Sequence, residues 1–402
     1  MARLAQGNES GLFRAVRLFV LMAGGVLAGA VQLAILPAMT QMAAHFSENG
    51  GDGAFIAQNV TTIAAPVMAF GAPLIGWLAG ILGKRKVLLA AAVIYGAAGI
   101  AGAAAPDLWT LLASRLILGL AAAGYVTIAV ALVGDYYAGE ARDKLIGWFS
   151  VVGGGGTMLV LFAAGKLTEF GGWHAPFFLY LAGFPLAILA FFTVFEVPRA
   201  AAASVASARS DSVRGAAGIF VLVILISIVM YAVTIQGTFL MASEGIVNPS
   251  TQSNILLLAT VGSMAGAYLF GLIRPRLGFH LVLALLWAAL AIGTIGFAST
   301  PNVFLLALFA GLAGMGSGLM QPLTQSAVLN ILSPAAAARG VGLAVGCIFL
   351  GQFLNPYVLS PLRAAFGVQG AFVAAGAAAA LGAALAVIWR LRIGLRPARA
   401  GL

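Results

Sequence analysis

Of 402 residues only one is cysteine, three are histidine and 8% are charged. The lone Cys347 excludes an internal disulfide and any cysteine metal cluster, and in its apolar surroundings it reads as a small buried hydrophobe. His45, His174 and His280 fall at opposite ends of the apolar segments, so neither a metal centre nor a hydrolytic site can be assembled from them. No cofactor is expected. Acidic residues number 11 against 21 Lys and Arg, and no Asp, Glu or His stands deep inside an apolar run. Asp135, Glu196 and Glu244 come nearest, at segment ends, where solvated positions are expected. Without a catalytic constellation or a soluble signalling domain, a membrane enzyme or sensor is a remote alternative.

What the chain has in abundance is apolar surface. Hydrophobic residues make up 62% of it and the mean hydropathy is +1.06, far more than a soluble core can hide. Apolar stretches able to cross a hydrocarbon core of about 30 Å, each needing roughly 20 residues, recur along the whole length. They lack the two-residue alternation of barrel strands, so they are read as helices. Twelve spans are expected, at about 13–39, 54–82, 87–105, 108–136, 145–166, 175–196, 216–242, 252–273, 279–299, 302–332, 340–362 and 368–390. The polar, Ala- and Ser-rich stretch 198–214, with Arg199, Arg209 and Arg214, is the one linker, between bundles at 1–197 and 215–402. The fold class is an all-α polytopic membrane protein.

Charge placement sets the expected orientation. With both termini in the cytoplasm, 18 of the 21 Lys and Arg fall on that side, leaving Arg115, Lys166 and Arg363 elsewhere. The excess of positive charge and the pI near 10.3 follow from this bias and do not call for a nucleic-acid partner. The expected location is the inner (plasma) membrane.

The densest basic point is a hairpin. The run 76–89 ends one apolar segment, packs Lys84, Arg85 and Lys86 together, and begins the next. A weaker copy lies 195 residues later, with Gly71, Gly76 and Gly83 repeated as Gly266, Gly271 and Gly278. Two related halves are expected.

Six plus six spans, a central linker and this repeated hairpin resemble the major facilitator superfamily. Its hairpin pattern is matched by Gly76, Gly83, Lys84 and Arg85, and in the second copy by Gly271, Arg276 and Gly278. Gly80 and Pro275 stand where the family has an acid. The fourth span carries the family's Arg and Gly as Arg115 and Gly119, and Gly172, Trp173 and Phe177 look like its Gly-Trp-Arg turn, with His174 for Arg. The resemblance implies an alternating-access transporter of two pseudo-symmetric bundles, with a central site lined chiefly by spans 1, 4, 7 and 10. It also implies that Gly76, Gly83, Lys84, Arg85, Gly271, Arg276 and Gly278 gate, with Asp135 the best partner of the basic clamp. The missing acids imply a weak inner lock. Gly153 to Gly156 lack the Pro of the family's antiporter signature, which counts against a drug–proton antiporter.

Candidate substrate contacts are Gln32, Arg115, Tyr231, Gln236, Gln321, Gln325, Gln352 and Asn355. Arg115 is the one clear intramembrane charge, and such charges are costly and usually functional. It either receives an anionic group, with Gln32 close by, or ties backbone carbonyls together. The other residues are neutral donors and acceptors, facing substrate and water or joining helices. They suit a neutral or anionic organic molecule, and Tyr125, Phe239, Met320 and Phe353 either widen the range to amphipathic molecules or simply pack. Glycines four apart, such as Gly262 and Gly266, suit close helix packing and sliding, and Gly311, Gly314, Gly316 and Gly318 suggest a bend in the tenth span. Export is favoured over uptake of a small polar nutrient or organic anion. Expected partners are the small-molecule substrate and the bilayer, with protons open because nothing deep in a span titrates near neutrality. A monomer is expected.

Overall fold

The computed structural model describes residues 11–48, 52–137, 139–196, 213–332 and 334–394. Arg3, Arg199, Arg209, Arg396 and Arg399, and with them most of the expected linker, lie outside the described residues. Everything regular within them is helical. In order these are α1 (Gly11–Leu33), α2 (Met39–Glu48), α3 (Gly53–Thr62), α4 (Ala64–Leu82), α5 (Lys84–Ala103), α6 (Leu108–Tyr136) and α7 (Gly139–Gly171). A 3-10 segment, Ala175–Ala182, then leads into α8 (Gly183–Thr193). After the linker come α9 (Ala217–Tyr231), a π-helical turn (Ala232–Gln236), α10 (Gly237–Ser243), α11 (Pro249–Ala298), α12 (Val303–Ile331) and α13 (Pro334–Gly394).

Among these residues ten helical runs are long and apolar enough to cross a membrane. Two of them, α11 and α13, contain a break at Gly278 (φ 73°) and Gly367 (φ 73°), left-handed values that only glycine adopts without strain. Divided there, the ten runs give twelve crossings. The chain falls into two units, one holding 1–206 with 248–253, the other 207–247 with 254–402.

The internal repeat is far more extensive than the hairpin. Gly83 and Gly278 share a left-handed φ, and so do Gly172 and Gly367, at the same 195-residue offset. Leu108–Tyr136 and Val303–Ile331 begin and end at that offset, and their N-caps, Asp107 and Asn302, each accept backbone N–H bonds from the first turn. Matched helix ends and caps in both halves establish two pseudo-symmetric six-helix bundles.

Proline accounts for the interruptions at the ends of and within the expected spans. Pro37 lies in a 3-10 turn, Leu36–Ala38, that ends the first span, and the chain resumes as α2, a helix where a polar link was expected. Pro66 has no N–H for the Thr62 carbonyl, and the second span is accordingly divided at Ile63 into α3 and α4. Pro185, likewise unable to donate to Leu181, marks where the 3-10 segment gives way to α8.

Close backbone approach packs each unit. In the first, a Cβ on Gly25 would lie 2.9 Å from the Gly153 Cα, bringing α1 against α7. In the second, a Cβ on Gly314 would run into the Ala259 carbonyl and one on Gly318 into the Ser263 carbonyl. In the tenth span α12 is continuous, with Pro322 inside it, and its glycines are where α11 lies against it. A cluster including Val223, Leu286, Leu290, Leu319 and Leu323 forms the apolar interior of this unit.

Asp107 supplies the α6 cap by accepting from the Thr110 N–H (2.9 Å) and hydroxyl (2.9 Å). The backbone bond first, then the side-chain bond, lowers its carboxyl below the usual aspartate value. A carboxyl lowered by folding contributes stability above its unfolded pKa and loses it as pH falls through the folded one. Asp107→Ala is therefore expected to lower the thermal unfolding midpoint at neutral pH, with the difference from wild type vanishing in acid. A gap constant from neutral to acidic pH would show that the charged cap is not the cause.

Candidate functional site

The first unit buries two arginines. Arg115 on α6, 1% exposed, donates from Nε to the Val60 carbonyl (3.2 Å), from Nη1 to the Tyr180 hydroxyl (2.9 Å), and from Nη2 to the Val31 carbonyl. The Tyr180 hydroxyl in turn donates to the Ala30 and Val31 carbonyls (3.3 and 3.1 Å). Its ring lies 5.4 Å from the guanidinium and 5.7 Å, edge-on, from Tyr95, whose hydroxyl donates to the Leu27 carbonyl (3.0 Å). One guanidinium thus joins the first, second, fourth and sixth spans. Of the two sequence readings this geometry displays the tie to backbone carbonyls. Gln32 is half-buried, and no hydrogen bond joins it to Arg115.

The second is Arg17, one of the basic residues assigned to the cytoplasmic side. It lies inside α1, 1% exposed, with Phe195 and Tyr136 rings 4.8 and 5.2 Å away and the Thr193 carbonyl 3.5 Å from Nη1. Tyr136 and Phe195 are held together, since the Tyr136 hydroxyl donates to the Phe195 carbonyl (2.6 Å). An Arg within an apolar run that also holds flanking aromatics far along the chain gave no local signal.

The hairpin at Gly83 is held by two carboxylates. Lys84 forms an ion pair with Asp135 at 2.6 Å, half-buried, as the sequence suggested. Glu196 accepts from the N–H groups of Lys84 (2.9 Å) and Arg85 (2.8 Å), so it caps α5 while remaining exposed at the span end, as expected. Arg85 does not share Asp135; its guanidinium donates to the Phe191 carbonyl (2.7 Å) and lies over that ring (5.2 Å). A Cβ added to Gly83, at φ 92°, would lie 3.0 Å from the Glu196 carboxylate. Gly76 is exposed, as are Gly271 and Arg276 in the second copy, where Gly278 alone repeats the left-handed turn.

The second unit gathers four of the predicted polar residues. The π-helical turn Ala232–Gln236 inserts an extra residue into the seventh span, a feature that often marks functional positions. Tyr231 precedes it, half-buried, and Gln236 closes it, 2% exposed. The Gln236 amide lies at 3.5 Å from Asn355 Oδ1, and Asn355 Nδ2 donates to the Ile228 carbonyl (2.7 Å), in the turn before the π segment. Gln352, one turn before Asn355 on α13, is 1% exposed, and its Oε1 has no hydrogen-bond partner among the described residues. A buried amide oxygen left so costs free energy until a donor arrives. Gln321 is exposed and Gln325 half-buried, both outside this hydrogen-bonded group. Tyr125 and Met320 are buried packing residues, the former donating to the Val20 carbonyl (2.8 Å), and Phe239 lies 5.7 Å from the Arg363 guanidinium.

The arrangement can hold a polar solute by neutral donors and acceptors. Known proteins agree on the class. Over 141 residues the chain is 36% identical to the puromycin resistance protein of Streptomyces alboniger, covering 34% of this chain and 27% of that one. Over 131 residues it is 34% identical to the niacin transporter of Acinetobacter baylyi, 33% of this chain and 29% of that one. These matches span less than a third of either relative. The fold matches the crystal structure of the nucleoside transporter NupG with a TM-score of 0.75, at 17% identity over 92% of this chain and 98% of that one. A bacterial homologue of the human lysosomal transporter Spinster gives 0.75 at 17% identity, over 98% and 100%. A profile described as Major Facilitator Superfamily matches residues 21–244, more than half of the chain. Twelve crossings in two repeated bundles, together with that match, show that this multi-pass membrane protein belongs to the Major Facilitator Superfamily of transporters.

Proposed function

We propose that the chain moves a small neutral or anionic organic molecule across the inner membrane by alternating access, in the export direction, with both termini in the cytoplasm. The buried Gln352 oxygen beside the Gln236–Asn355 pair, set against a π-helical turn, carries this reading. Neutral amides bind by hydrogen bonds and supply no countercharge for a cation, and an acceptor without a partner selects cargo bearing an N–H or O–H donor. Tyr231 adds a ring and a hydroxyl at the start of the same turn. The likeness to the puromycin resistance protein supports export. The likeness to the niacin transporter favours a second reading, a small organic anion as cargo. The basic clamp and its carboxylates, Lys84, Arg85, Asp135 and Glu196, are assigned to gating, together with Gly76, Gly83, Gly271, Arg276 and Gly278.

Binding of labelled puromycin and nicotinate to purified protein tests the site. Gln236→Leu and Gln352→Leu should each weaken binding of whichever compound binds by about tenfold, the order expected for one buried hydrogen bond. Unchanged affinity in both variants, with unfolding midpoints near wild type, would remove the polar cluster from the substrate path.

A further inference from the structure

The repeat isolates one place where the second unit has lost what the first uses. Beside the first hairpin, Asp135 and Glu196 neutralise Lys84 and cap the α5 amides. At the 195-residue offset Asp135 becomes Asn330, Glu196 becomes Leu391, and Lys84 and Arg85 become Phe279 and His280. Both carboxylates are gone. Beyond residue 212 the sequence holds one acidic residue, Glu244, against nine arginines, and Glu244 accepts from Gln369.

A cavity of about 480 Å³ occupies the corresponding place, lined by Arg274, His280, Asn330 and Trp389 over an apolar floor that includes Leu222 and Phe279. Arg274 is half-buried, and its Nε is buried without a hydrogen-bond partner among the described residues. A buried Nε–H with no acceptor, on a guanidinium only partly withdrawn from water, is costly and is matched best by an anion. His280 stands edge-on to Trp389, ring centres 4.7 Å apart. A second cavity, of about 520 Å³, shares Leu222 and Trp389 with the first and runs on between apolar side chains such as Leu225, Leu359 and Leu385. Leu225, Leu385 and Trp389 are each more than half exposed, so this trough opens outward, toward where lipid stands in a membrane protein.

We propose that the second unit binds one anionic phospholipid, its phosphate on Arg274 with His280 and Asn330 as further donors, and an acyl chain in the adjoining trough. A soluble phosphate would satisfy the arginine and leave the trough unused, whereas phosphatidylcholine would fill the trough but bring a quaternary ammonium along with its phosphate to a lining that holds Arg274 and no acid. Joined cavities, one donor-lined and one apolar, fit a headgroup and a tail. Trp389 bridges them, as an amphipathic ring suits the boundary between polar and apolar layers. The lipid supplies the negative charge that Asp135 and Glu196 supply in the first unit.

Native mass spectrometry of the delipidated full chain, titrated with phosphatidylglycerol, phosphatidylcholine or inorganic phosphate, tests this. One phosphatidylglycerol should bind about tenfold or more tighter than phosphatidylcholine, a charge-assisted margin. Arg274→Gln should abolish that margin and Arg274→Lys restore part of it, while Arg392→Gln, the same charge change at an exposed residue, should keep it. Ala378→Phe, which narrows the trough, should weaken the phospholipid without touching the arginine, and it carries the test if Arg274→Gln fails to fold. Equal losses in Arg274→Gln and Arg392→Gln, equal binding of the two lipids, or full competition by inorganic phosphate would overturn the proposal.

Discussion

Arg115→Ala should lower stability by roughly 2–4 kcal/mol: the Val60 carbonyl loses its side-chain donor, an unsatisfied buried group costing about 1–3 kcal/mol, and the Val31 carbonyl and Tyr180 hydroxyl, which still bond each other, each lose a charged donor. The side chain is 1% exposed and its partners are Val31, Val60 and Tyr180, each on a different span. Arg115→Lys keeps the charge but not the fork: a single ammonium cannot reach donors out in three directions as a guanidinium does. Lys should recover only part of the loss. Thermal unfolding of both variants, read beside substrate affinity, separates the two roles of this residue. If stability falls while affinity in the folded fraction stays near wild type, Arg115 is a tie between spans. An unchanged unfolding midpoint in the Ala variant would contradict the tie.

Gly314→Ala and Gly318→Ala should each cost about 3 kcal/mol or more, at the upper end for overpacking. In an exposed helix the same exchange stabilises by up to about 1 kcal/mol, since Ala is the better helix former. The sign reverses here because the new methyl groups meet the backbone of Ala259 and Ser263, which cannot turn aside as a side chain tip can. Gly271→Ala, with nothing within 4 Å of its added Cβ, is the matched control and should be neutral or slightly stabilising. Chemical unfolding in mixed micelles would measure all three. Similar effects at Gly271 and Gly314 would show that helix propensity, and not the α11–α12 contact, decides.

The sequence disclosed what depends on local pattern and withheld what depends on distant partners. Apolar run length and basic hairpins announced the spans, because lipid acts on short stretches, and the glycines at 71, 76 and 83, repeated at 266, 271 and 278, announced the repeat. The repeat at Gly172 and Gly367 was equally present in the letters but lies in turns whose φ values no composition reveals. Lys84 with Asp135 was legible because opposite charges at the same end of neighbouring spans have few other partners. Glu196 was not: a carboxylate at a span end looks the same whether it faces water or caps a helix 112 positions away. Gln236 and Asn355 were named as separate polar residues, and only the fold sets them 3.5 Å apart. The π-helical turn left no mark in residue type at all. Arg17 was hidden by its place at the start of an apolar run, where snorkelling to the surface is the ordinary fate of such a side chain.

The lost carboxylates of the second unit carry a wider lesson about the repeat. Duplicated halves begin with equivalent contacts, and each departure frees one half for a different use. In the first unit the hairpin is internally neutralised; in the second, Asn330 and Leu391 leave Arg274 and its cavity without an internal anion. Basic charge held near a membrane surface draws anionic headgroups, an attraction of about 1 kcal/mol per residue.

Counterflow into proteoliposomes asks most directly whether this chain is an alternating-access carrier. Vesicles preloaded with unlabelled substrate, either puromycin or nicotinate, are diluted into a trace of labelled compound, with no ion gradient imposed. A carrier whose site faces one side at a time exchanges label inward faster than it lets label escape, and the label should rise transiently above its external concentration. Repeating this with Gln352→Leu should flatten the overshoot. Label that only equilibrates with the external medium, without overshoot and with identical rates in preloaded and empty vesicles, would mean that the chain does not carry either compound by alternating access.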